Sequence, residues 1–147
     1  MGINTGDKKE KYNVFGTNQI EGYEFYKSLV KLRSMILGAY PKSPKRIRSM
    51  LGTQLIREIS DVIKKLLILD TLDMFKCDEA SKRIEIHKEV YANYKLIFQD
   101  MTDAKGTSLF TESEWETQFN LFCNGLTLYE GVLKRDNDKF DELYPHG

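Results

Sequence analysis

The chain has little of what covalent stapling or catalysis requires. Its 147 residues include two cysteines, Cys77 and Cys123, and two histidines, His87 and His146. Isolated cysteines with no CxxC spacing and no histidine cluster exclude a disulfide framework and a zinc site, and imply a reducing interior. The longest apolar run, Leu66 to Leu69, falls far short of the roughly 20 residues that a membrane-spanning helix needs. The opening MGINTGDKKEKYNVFG is polar and charged, without the apolar stretch of a secretory signal. A myristoylation start wants Ser or Thr at position 6, and this chain has Gly6. These absences lead to the expectation of a soluble cytoplasmic protein with no membrane segment.

Net charge is also absent: 22 Lys+Arg balance 22 Asp+Glu. The balance hides a gradient. Residues 1–50 carry 10 basic against 4 acidic side chains, residues 51–100 carry 8 against 9, and residues 101–147 carry 4 against 9. Such polarity bears on association and partners rather than on fold. A chain of this length is expected to form one domain with a core that needs no covalent help.

What is present is helical periodicity. Phe25, Leu29, Leu32 and Ile36 recur at steps of 4, 3 and 4, one face of a helix from about Asn18 to Leu37. Ser43 then offers an N-cap, with Pro44 at the first helical position, where a missing N–H costs nothing. The stripe Ile47, Leu51, Leu55, Ile59, Val62, Leu66 and Leu69 predicts a second helix reaching Leu72, about 40 Å long at 1.5 Å per residue. A third face reads Ala80, Ile84, His87, Tyr91, Tyr94, Phe98 and Met101. After the loop TDAKGTSL, Thr111 and Glu114 form a capping box, and Phe110 and Trp115 take the two positions of a hydrophobic staple. Trp115, Phe119, Phe122, Leu126, Tyr129 and Leu133 then continue to Arg135, beyond which the acidic DNDKFDELYPHG is expected to fray. No stretch alternates with period two, so no sheet is expected.

Four long helices with short loops predict an all-α protein, an antiparallel up-down-up-down four-helix bundle. Residues 1–17 form a polar extension, 18–135 the bundle and 136–147 an acidic tail. The apolar surface exceeds what one bundle needs. Tyr23, Tyr26, Val30 and Leu37 make a second stripe on the first helix, and Ile56, Ile63, Leu67 and Ile68 widen the second. A wide core stripe explains part of this; a subunit interface explains the rest.

The chemistry-bearing residues do not assemble into a catalytic motif. His87 lies on an apolar stripe, where a histidine is usually a hydrogen-bonded packing residue. Glu85 and His87 are too close in sequence for the Glu-x-x-His pairs of di-iron bundles, and no second pair exists. Arg83 and His87 have three residues between them, against the four to six of HEPN ribonucleases. There is no phosphate-cradling glycine loop, no nucleophile motif and no aromatic strand platform. No catalytic residue, metal or cofactor is therefore expected, and the chain reads as a non-enzyme.

The segment YPKSPKRIRSMLG is different. Lys42, Lys45, Arg46 and Arg48 stand around a helix start with no acidic neighbour, although the helix dipole favours Asp or Glu there. Arg57, Lys64 and Lys65 continue the basic character along the same helix. Cations at a helix N-terminus suit a phosphate backbone, RNA or DNA, with sequence-blind and salt-dependent contacts. The alternative is a solvated loop on a protein-interaction scaffold whose opposed basic and acidic ends dock partners.

Tyr40-Pro41-Lys42, Arg48, Leu51-Gly52, Gln54-Leu55 and Leu66-Leu67, with FNLFCNGLTLYEGVLKR near the end, resemble a four-helix-bundle family. It includes the accessory variability determinant of diversity-generating retroelements and the proteins encoded in 23S rRNA intervening sequences. The resemblance spans Tyr23 to Arg135. It implies a non-enzymatic homo-oligomer, a pentamer in the retroelement proteins, that partners a reverse transcriptase and its RNA. The departure is charge: those accessory proteins tend to be basic throughout.

Overall fold

A computed structural model of the chain describes residues 19–39 and 44–145. It is all-helical among those residues, with four long helices. A 3-10 turn, Ile20–Gly22, leads into α1, Glu24–Ala39. A short turn, Lys45–Ile47, passes through a π-helical segment, Arg48–Gly52, into α2, Thr53–Leu69. Then follow α3, Cys77–Ala104, and α4, Glu112–Leu143. No helix among the described residues is long and apolar enough to cross a membrane.

Local chemistry accounts for several of the boundaries. Asp78 and Glu79 in the first turn of α3 complement its dipole. Gly106, at φ 80°, takes the left-handed conformation that follows α3, which only glycine adopts without strain. The Thr111 hydroxyl accepts from the Glu114 N–H at 3.1 Å while the Glu114 carboxylate accepts from the Thr111 N–H at 3.0 Å, the capping box read from the sequence. The expected N-cap, Ser43, lies outside the described residues.

The helices pack in a closed cycle. α1 lies against α2 and α4, and α3 lies against the same two. Polar bridges fix the registers. Arg33 donates to Ser60 between α1 and α2, and Gln54 and Lys65 on α2 donate to Asp100 and Asn93 on α3. Trp115 on α4 donates its indole N–H to the Met101 carbonyl on α3 at 2.7 Å. At the α1–α4 seam the Phe25 and Tyr129 rings meet edge to face at 5.6 Å. Gly125 allows this approach, because a Cβ there would lie 2.6 Å from Ser28 Oγ and 3.4 Å from Phe25 Cα.

The predicted core faces of α1 and α2 are buried: Phe25, Leu29, Leu32 and Ile36 on one, Leu55, Ile59, Val62, Leu66 and Leu69 on the other. Ile47 and Leu51, before α2, are only half-buried, because the π segment shifts them relative to the stripe. The faces of α3 and α4 differ from expectation. α3 buries Ala80, Arg83, His87, Val90, Tyr94, Ile97, Met101 and Ala104, whereas Ile84, Tyr91 and Phe98 sit at the rim. α4 buries Trp115, Gln118, Phe122, Gly125, Tyr129, Val132 and Asp136. Both are heptad seams, with steps alternating between 3 and 4. Every second position of each seam lies one residue before the one the apolar reading chose: Arg83, Val90 and Ile97 rather than Ile84, Tyr91 and Phe98, and Gln118, Gly125 and Val132 rather than Phe119, Leu126 and Leu133. α4 also continues past Arg135 to Leu143, because Asp136 is a core residue rather than the first residue of a tail.

Candidate nucleic-acid interface

Of the seven cations of the predicted site, Lys45, Arg46, Arg57, Lys64 and Lys65 have described side chains. Lys42 lies outside the described residues, and Arg48 is placed by its backbone in the π segment. Lys45 and Arg46 are exposed on the turn that opens the second helical stretch, with no acidic residue in its first turn. Arg57 and Lys64 are exposed further along α2, and the exposed Asp61 stands between them in sequence. Lys65 is half-buried and turned towards α3, where its ammonium lies 3.5 Å from the Glu89 carboxylate and 3.3 Å from the Asn93 amide oxygen. The structure therefore leaves Lys45 and Arg46 as a solvent-facing pair, with Arg57 and Lys64 on the helix beyond, and commits Lys65 to the α2–α3 seam.

On that seam, Gln54 bridges two carboxylates, donating to Asp100 at 3.0 Å and to Glu58 at 3.4 Å. Burial pushes Glu58 up to about 7, helped by the hydrogen bond and the charge of Asp100. Negative charge thus sits close behind Arg57, which works against a phosphate at this end of the helix.

A second constellation, of which the sequence reading placed His87 and Tyr129 on core faces but not Arg83 or Asp136, is sealed in the core. Asp136 Oδ2 accepts from Arg83 Nε at 2.7 Å and lies 2.7 Å from His87 Nε2, with all three side chains at 0–1% exposure. Arg83 Nη1 also donates to the Leu72 carbonyl at 2.8 Å, tying the α2–α3 loop to α3. His87 Nδ1 lies 2.6 Å from the Tyr129 hydroxyl. The Tyr129 hydroxyl also lies 3.3 Å from the His87 carbonyl, which accepts from it. Tyr129 stacks on Tyr94 at 5.0 Å. Burial drives both phenols far above their ordinary range, with the charge of Asp136 adding at Tyr129. Arg, His, Asp and Tyr in contact are the parts of an acid–base site, but a substrate has no path to groups with no exposed surface. The signal that could have found them is the heptad step: positions 83, 87, 129 and 136 fall on core positions once polar residues are allowed there.

The surplus apolar stripes resolve unevenly. Tyr23 and Ile63, at 4% and 6% exposure, belong to the core. Tyr26, Val30 and Ile56 pack partly against it, while Leu37, Leu67 and Ile68 face solvent. On α3, Leu96 and Phe98 are also exposed.

No family model, curated protein or solved structure matches the chain.

Proposed function

We propose that the chain is an antiparallel up-down-up-down four-helix bundle acting as a non-enzymatic, homo-oligomeric accessory protein of a diversity-generating retroelement, binding a reverse transcriptase and its RNA. The closed cycle of helix contacts and the opposed registers of the bridges support the topology. One observation carries the functional reading. The Arg83, His87, Tyr129 and Asp136 cluster is inside, while cations and apolar side chains stand in solvent on the entry turn and along α2. Such a surface suits binding. In this reading Lys45 and Arg46 meet phosphate, with Lys42 and Arg48 beside them in sequence and Arg57 and Lys64 further along α2. Leu96 and Phe98, exposed on α3, supply self-association, with the pentamer and the retroelement partner resting on the sequence resemblance. The cytoplasmic assignment belongs to the same proposal.

A second reading is favoured by the pairing of Lys65 with Glu89 and the placement of Asp61 between Arg57 and Lys64. Under it, the chain is an interaction scaffold of the same bundle class that binds no nucleic acid. Charge reversal of Lys45 and Arg46 to Glu separates the two. The first expects RNA affinity to fall at least about tenfold and the slope of log K against log salt to flatten by about 2, one for each lost phosphate contact. Unchanged affinity and slope would leave only the scaffold.

A further inference from the structure

The seam between α1 and α2 opens outward into a groove of about 570 Å³. From α1 come Tyr26 and Arg33; from α2 come Ile63, Lys64, Leu67 and Ile68. Val30 and Leu37 share the Tyr26 stripe, in steps of 4, 3 and 4 through Arg33. Tyr26 to Arg33 on α1 and Ser60 to Ile68 on α2 each span about 11–12 Å of helix at 1.5 Å per residue, so the groove accepts about two turns of a third helix. Arg33 is fixed across its floor by donating to Ser60 at 3.3 Å.

Charge decides the occupant. Arg33 and Lys64 are the charged side chains that line the groove, and both are cationic. The acids of these helices, Glu24, Glu58 and Asp61, do not line it. Two such grooves face to face would set Arg33 and Lys64 of one copy against those of the other, which disfavours a two-fold contact through this surface. A partner helix with an apolar stripe and acidic flanks has no such conflict at Arg33 and Lys64, its acids being kept from the Tyr26 end, where the charge of Glu21 acts. It would lay leucine-sized side chains along Leu67 and Ile68 and bring carboxylates to Arg33 and Lys64.

We infer that the α1–α2 groove is a docking site for an acidic amphipathic helix of a partner protein. This inference does not rest on the phosphate reading: Lys45 and Arg46 lie outside the groove, and Lys64 is the one cation that both assign.

The test uses the full chain and two labelled synthetic peptides of about 18 residues, long enough to be helical in part. Both carry leucines at helical spacing, one with glutamate flanks and one with lysine flanks. Fluorescence anisotropy is expected to show the glutamate peptide binding at least about tenfold more tightly than the lysine peptide. The pair Arg33→Glu and Lys64→Glu is expected to reverse that preference. Lys64→Glu alone, at an exposed site, serves if the double variant does not fold. Lys45→Glu with Arg46→Glu should leave peptide binding unchanged, even where it abolishes RNA binding. Equal affinity for the two peptides would overturn the inference, as would displacement of the glutamate peptide by single-stranded RNA. So would a groove variant that becomes monomeric where the parent chain self-associates, since the occupant would then be a second copy.

Discussion

Replacing Asp136 by Asn tests whether the buried network holds the fold. Asp136 Oδ2 lies 2.7 Å from both Arg83 Nε and His87 Nε2, at zero exposure. Asn keeps the volume and one acceptor oxygen but removes the charge, which leaves the Arg83 guanidinium uncompensated in the core. Breaking one side of a buried ion pair costs about 3–5 kcal/mol. At roughly 3 °C per kcal/mol for a chain of this size, the melting temperature should fall by roughly 9–15 °C. Urea denaturation followed by circular dichroism reads this directly, with an unchanged m-value marking a pure stability effect. The paired variant Arg83→Met with Asp136→Leu removes both charges. It should recover most of the loss, since apolar replacement of a whole buried pair is often neutral or stabilising. An Asp136→Asn chain within about 1 kcal/mol of the parent would refute the reasoning, because the network would then contribute nothing that solvent does not replace.

Two further outcomes follow from packing and charge. Gly125→Ala should cost about 1–3 kcal/mol, since its Cβ would lie 2.6 Å from Ser28 Oγ; adding Ser28→Ala should restore much of that in the same melts. Glu58 is raised from 4.5 to about 7, so the folded state holds a proton that the unfolded chain releases. That contribution is full below pH 4.5 and is lost as pH rises through about 7. Glu58→Gln should therefore match the parent near pH 4.5 and exceed it at pH 8, by about 1 kcal/mol once solvent screening at a half-open site is allowed for; a parent chain whose stability rises over that range would exclude the shared-proton arrangement.

Helices α1 and α2 were legible because their core positions are filled by Phe, Leu, Ile and Val, so that composition and geometry agree. The capping box was legible because it is a local motif with a fixed three-residue offset. On α3 and α4 the same reasoning placed half of each seam, Ala80, His87, Tyr94 and Met101 on one and Trp115, Phe122 and Tyr129 on the other, and set the alternate positions one residue late. Arg83 and Gln118 occupy core positions, and an apolar count passes over them to Ile84 and Phe119, while Asp136 reads as the start of a tail. Partnership across the two helices makes Arg83 and Asp136 acceptable inside, and partnership over 53 residues of sequence separation leaves no local mark. The end of α4 was misplaced for the same reason. The proposed binding surface was legible as a list of cations, but not as geometry. That Lys65 belongs to Glu89 and that Arg33 belongs with Lys64 depends on which helices are neighbours, and no spacing along one helix reveals that.

The π-helical segment between the cationic turn and α2 gives the two parts separate orientations. A residue of α-helix turns the chain by about 100°. In an uninterrupted helix, the direction in which Lys45 and Arg46 point would be dictated by the stripe from Leu55 to Leu69. The wider turn at Arg48–Gly52 breaks that dictation. Insertion or deletion of a single residue there would swing the cations around the helix axis while the buried stripe of α2 stayed in its seat. Related chains could therefore aim the same charges at differently placed partners without altering a core residue.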